Sequence, residues 1–161
     1  MLSHKLLLDE VEEDYLLLAI HSSLEDYKIA YLINKYLQIN FARARHDLDF
    51  NHGTVQALYP LFLFKEPAKY RNYFLIKNKF QGPVKRIISS GSLFNEEEVI
   101  SKSSYLIPEY KEVDYFLKID EELSDHQFQL MINKIAVIPN VQTVFEVDHN
   151  QLKSKNNLIL E

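Results

Sequence analysis

The sequence predicts an α+β domain: a mixed, mostly antiparallel sheet with two main helices packed on one face, built from two strand–helix–strand units and a central β-hairpin. Three observations predict it. Apolar residues recur at helical spacing from Leu24 to Leu37 and again from Phe128 to Ile135. Short β-rich runs stand on either side of each helical stretch. Between the two units, residues 55–64 and 70–77 are apolar β-forming runs joined by Lys65-Glu66-Pro67-Ala68-Lys69.

Taken in order, His4–Leu8 and Tyr15–His21 read as a hairpin across an acidic turn. The unbroken Leu-Leu-Leu-Ala-Ile of the second run marks a strand buried on both faces. Ser22 and Ser23, with Glu25 and Asp26 behind them, are placed for a capping box at the first helix. Beyond Phe41 the alternation changes phase, to Ala42, Ala44, Leu48 and Phe50, which predicts a bulge or a strand leaving the sheet. Asn51-His52-Gly53 is a turn. Pro60 demotes the run 55–64 to an edge or breaks it. After Gln81-Gly82-Pro83 and the short run Val84–Ile88, residues 89–98 form the least regular stretch and are expected to be a loop. Val113, Tyr115, Leu117 and Ile119 alternate with Asp114 and Lys118 as a strand. Ser124 and Gln127 make a second capping box, Pro139 ends that helix, and Val141–Val147 returns as a strand.

With 161 residues, 47% of them hydrophobic, the chain has the size and balance of one globular domain spanning 1–161. Cysteine is absent, which excludes disulfides, thiol catalysis, iron–sulfur clusters and the usual structural zinc sites. Three glycines leave no room for a dinucleotide or Walker phosphate loop. No run of apolar residues is long enough to cross a bilayer, and the start lacks the features of a signal peptide. The expected address is the cytoplasm, with no membrane partner, and nothing calls for a cofactor.

Charge is unevenly spread. The net charge is −5, yet residues 65–86 hold seven cations against Glu66, a local balance of +6 that leaves −11 elsewhere. Arg71, Lys77, Lys79 and Arg86 are therefore the candidate anion-binding residues, with Tyr73 and Phe80 available to stack on bases. The acidic remainder argues against a nucleic-acid partner. The simpler reading is a solvated hairpin whose lysines protect its edges.

Ile107-Pro108-Glu109-Tyr110-Lys111-Glu112-Val113-Asp114-Tyr115 carries every fixed position of the motif of the IPExxVDY protein family, an uncharacterised bacterial family, and the chain resembles that family. His21–Tyr27, Ser90–Glu98 and Asn150–Ile159 are similar to it as well, so the resemblance spans nearly the whole chain. That family has no assigned activity, so the resemblance implies a relative and no reaction. In physical terms the motif is a strand entrance, with Pro108 biasing Ile107 toward extended backbone. Glu109 and Asp114 would be about 16 Å apart on an extended chain and need a turn between them to cooperate.

The candidate ligand or partner surface is His21, Ser92, Asn95, Glu109, Asp114 and Tyr115. His46, Asp47, Asp49 and His52 have the composition of a metal site, but on an extended strand His46 faces away from both aspartates. They are read as strand-end polar residues, with no metal and no catalytic residue assigned. The leading expectation is a non-enzymatic binding or scaffold domain that engages another protein or itself, with strand edges near 55–77 as a route to a homodimer. Nucleic-acid binding through 65–86 is the alternative. An enzyme using Glu109, Asp114 and His21 ranks last.

Overall fold

A computed structural model describes residues 14–53, 55–88 and 96–160, with backbone alone at 84–88 and 96–98. Leu17, Leu18, Ala19 and Ile20 are all fully buried in strand β1 (Tyr15–Ser22), because the sheet is covered on both faces. Helix α1 (Asp26–Leu37) follows, then β2 (Ala42–Arg43), β3 (Leu48–His52), β4 (Val55–Tyr59), β5 (Leu61–Glu66), β6 (Arg71–Lys77), β7 (Lys79–Ile88), β8 (Glu96–Tyr105) and β9 (Tyr115–Asp120). Helix α2 (Asp125–Ala136) and β10 (Val141–Glu146) complete the regular elements, and short 3₁₀ turns run through the C-terminal segment. Among the described residues no helix is long and apolar enough to cross a membrane.

The main sheet has six strands in the order β10-β1-β9-β6-β5-β2, and every pairing is antiparallel. The fold is α+β as the sequence predicts. Each strand–helix–strand unit does return parallel to its start, but the two parallel strands are never neighbours: β1 lies between β9 and β10. The four strands β10-β1-β9-β6 thus follow the split βαβ pattern of ferredoxin-like sheets. Both edges of β1 are taken by β9 and β10. Residues 4–8, expected opposite it, lie outside the described residues.

Both helices lie on one face of the sheet. Ile29, Ala30 and Ile33 from α1 and Phe128 and Ile135 from α2 pack on Leu18, Ile20, Tyr73, Leu75, Tyr115, Leu117 and Ile119. The opposite face is covered without helices. Leu17, Ala19, Phe74, Ile76 and Phe116 meet the β3–β4 hairpin, the motif peptide and the C-terminal Leu152 and Leu158. Full burial of each such aliphatic side chain contributes roughly 1.5–3 kcal/mol, so the helix-free layer is a second core and not a decoration.

Several local expectations hold for the reasons given. Ser124 and Gln127 form the reciprocal capping box of α2. Pro60 breaks its run, sending β4 to a small hairpin with β3 and β5 into the main sheet. The phase change after Phe41 marks a strand leaving the sheet, since β2 pairs with β5 for two residues only.

Three expectations are corrected. Helix α1 has Glu25 at its N-cap and no side-chain cap. Ser22 is instead recruited into the core, where its Oγ donates to the Asn140 carbonyl and accepts from the Leu24 N–H. Residues 96–98 belong to β8, which pairs with β7 from Lys79↔Tyr105 to Ile88↔Glu96, so the last three residues of the expected loop are strand; residues 89–95 lie outside the described residues. Of the strands near 55–77, β6 is enclosed between β5 and β9, so it offers no edge, whereas β5 has β2 beyond it for two residues only and β4 pairs with β3 alone.

Candidate functional site

The motif peptide is organised by a residue outside it. Asn78, fully buried between β6 and β7, accepts at Oδ1 from the Ile107 N–H (2.8 Å) and donates through Nδ2 to the Tyr110 (2.8 Å) and Val113 (2.9 Å) carbonyls. Its backbone carbonyl accepts from the Leu106 N–H, and its own N–H donates to the Asp114 carbonyl. Pro108 opens a single 3₁₀ turn, Pro108–Tyr110, after an extended Ile107. The expected strand entrance is therefore a turn pinned from below, and strand geometry starts only at Tyr115.

Each acid of the motif is a fastening. Glu109 accepts from the Ser154 N–H (3.0 Å) and Oγ (2.6 Å), tying the C-terminal segment down, and Asn157 adds a bond to the Leu106 carbonyl. Asp114 accepts from the Ser22 N–H at 2.8 Å, at the far end of β1. The two carboxylates hold different segments and form no acid–base pair. Tyr115 faces the helical layer and donates its hydroxyl to the Leu24 carbonyl at 2.6 Å. Burial, reinforced by the charges of Asp26, Asp114 and Glu25, pushes its phenol far above the ordinary range, so it remains a donor.

His21, at the end of β1, lies beside Phe145 of β10 (ring centroids 6.0 Å apart), and Phe145 lies 6.3 Å from Tyr110 of the motif. His21 also lies next to the motif along the backbone, since the Ser22 N–H donates to the Asp114 carboxylate and the Ile20 carbonyl accepts from the Asp114 N–H. Ser92 and Asn95 lie outside the described residues.

The basic segment is divided by the fold. Arg71 is mostly buried, donates to the Glu122 carbonyl at 3.0 Å and stands 3.6 Å from Glu66. Glu66 also pairs with Lys69 at 2.8 Å, and that bond foremost holds its carboxyl below the ordinary carboxylate value. Tyr73 is buried with its hydroxyl on Glu66, and Phe80 packs edge-on against the buried Tyr59 while its ring lies over Gly82. Neither aromatic is free to stack on a base. Lys77 ends β6, half-buried, and Lys79 opens β7, exposed; Arg86 enters only as a backbone position of β7.

The His46 group also disperses. Asp47 pairs with Arg43 at 2.6 Å, Asp49 accepts from Gln56, and His52 bonds the Tyr59 hydroxyl. An open cleft of about 590 Å³ borders Arg43, Arg45, His46 and Asp49. Among the described residues no cluster of acids and histidines is arranged to hold a metal ion.

Two residues of consequence were not singled out by sequence. Asn78 sits in Lys77-Asn78-Lys79, which reads as polar surface. Lys118 is the one buried charged side chain among the described residues. Its Nζ donates to the Leu158 carbonyl (3.0 Å), stands 3.4 Å from Asp120 and lies 4.6 Å over the Tyr15 ring. A signal for it existed: a β1 buried on both faces implies that its neighbour β9 is too, so position 118 had to be enclosed.

The buried phenols carry a pH prediction. Burial pushes Tyr59 from 10.0 up to about 12, and Tyr115 further. A raised pKa in the folded state means that the neutral phenol is the stabilised form. This contribution is complete below pH 10 and is lost as pH rises through 12. Urea unfolding midpoints are expected to be flat from pH 8 to 9.5 and to fall steeply above 10, with a shallower fall in Tyr115→Phe; equal slopes in both chains would exclude Tyr115 as a contributor.

Comparison of the chain with family models, curated proteins and solved structures finds no match.

Proposed function

We propose that the domain is a non-enzymatic binding or scaffold module that acts by engaging another protein chain, and that its motif places it in the IPExxVDY family. The motif supports an architectural role, since Glu109, Asp114 and Tyr115 are all spent on internal hydrogen bonds. The observation that carries the reading is the β7–β8 arm. Its two ten-residue strands pair only with each other, and its contact with the rest of the fold runs mainly through β4. Val99 is 64% exposed and Ile100 is 40% exposed. Neighbours on a strand point to opposite faces, so both faces of the arm present apolar side chains to solvent. A lone two-stranded ribbon is marginal in water, and covering both faces with a protein partner removes that deficit.

The fitting partner is a chain with apolar side chains for Val99 and Ile100. Affinity capture with the wild-type chain and with Val99→Lys/Ile100→Lys, followed by rebinding of the purified captured protein, tests this. The double variant is expected to bind at least tenfold more weakly. Equal binding by both chains, with the arm still folded, overturns it.

A further inference from the structure

Resting on the reading of the domain as a protein-binding module, we infer that β10 pairs antiparallel with β10 of a second copy, centred on Val144, and extends the six-stranded sheet across a two-fold axis. Strand β10 ends the sheet, and no other described strand pairs with its outer side. The Val147 N–H bonds the Leu17 carbonyl, and the register continues through Phe145↔Ala19 and Thr143↔His21. Antiparallel bonding alternates, so the N–H and C=O groups of Val144 and Glu146 point outward. The register skips Gln142 where Ser22 meets Val141, leaving Gln142 unmatched by β1. The strand, Val-Gln-Thr-Val-Phe-Glu, holds no lysine or proline to guard its edge.

Among possible partners, a second copy fits this edge by its own pairing. With the axis on Val144, the outward groups of the two Val144 residues bond each other, and those of Glu146 meet those of Gln142. On the side-chain level Val144 faces Val144, Thr143 faces Phe145, and the Gln142 amide faces the Glu146 carboxylate at both ends. No like charges oppose each other, and each pair is of a kind that stabilises antiparallel strands. Such an isologous contact closes at two chains.

The absence of cysteine makes the register directly testable. Residues in a hydrogen-bonded antiparallel pair have Cα atoms about 5.5 Å apart, within the span a disulfide bridges. Val144→Cys is expected to oxidise to a covalent dimer, whereas Thr143→Cys, about 7–8 Å from its own copy across the diagonal, is not. Should Val144→Cys fail to fold, Gln142→Cys/Glu146→Cys, both at exposed positions, serves the same purpose. In sedimentation of the otherwise native chain, Gln142→Lys is expected to tighten the dimer about fivefold and Gln142→Glu to loosen it about fivefold. A native chain that stays monomeric at high micromolar concentration overturns the pairing. Preferential cross-linking through Thr143→Cys overturns the register. Neither result touches the arm assay, which measures Val99 and Ile100 with a different protein.

Discussion

Replacing Asn78 with alanine is expected to lower unfolding stability by about 4 kcal/mol and the midpoint of thermal unfolding by about 10 °C. The side chain makes three hydrogen bonds, two of them with buried atoms at both ends. Truncation leaves the Ile107 N–H and the Tyr110 and Val113 carbonyls without these partners, and each buried polar group so stranded costs about 1–3 kcal/mol. A void comes in addition. Asn78→Asp keeps the acceptor for Ile107 but turns an oxygen toward two carbonyls, so it is expected to be no better than alanine. Urea unfolding followed by circular dichroism gives the number. A loss below about 1 kcal/mol in both variants would mean that the motif turn holds itself.

The second large effect is expected at Lys118. Replacing a whole buried ion pair with apolar groups is often neutral, but removing one partner is not. Lys118→Met keeps the aliphatic stem packed between Tyr15 and Phe74 and deletes only the charge, so the buried Leu158 carbonyl loses its donor. A hydrogen bond to a charged group is worth about 1.5–3 kcal/mol, and a loss near 2 kcal/mol is expected. Its location matters more than its size. Hydrogen exchange at 152–160 should accelerate well before that of β1 and β9, since Lys118 joins this segment to the sheet. Unchanged protection there would show that Leu152, Leu158 and the Glu109–Ser154 contact suffice.

These two residues also show where sequence reasoning stops. Apolar spacing declares a helix or strand because it repeats along the chain, and so both helices, the α2 cap and the central β1 were legible. The roles of Asn78 and Lys118 depend on partners 28 to 40 positions away. No local pattern marks an asparagine between two lysines as the floor of a distant turn. The α1 cap failed for the same reason: Ser22 has the right spacing to cap, but Asn140, far along the chain, offers its Oγ a carbonyl. The basic segment looked continuous in sequence, yet β pairing turned Tyr73 into the core and left Lys79 outside.

By itself the sequence determined the class of fold, the order of its main elements, the lack of thiol chemistry and the special character of residues 107–115. Those follow from side-chain size, polarity and local backbone preference, which act within a few residues of each other. The tertiary structure alone decided that β1 is inserted between β9 and β10, that the motif acids fasten Ser22 and Ser154 and do not form a pair, that β10 ends the main sheet and that the β7–β8 strands pair only with each other. Those follow from which buried groups find partners across the sheet, a condition that only the closed three-dimensional arrangement can satisfy.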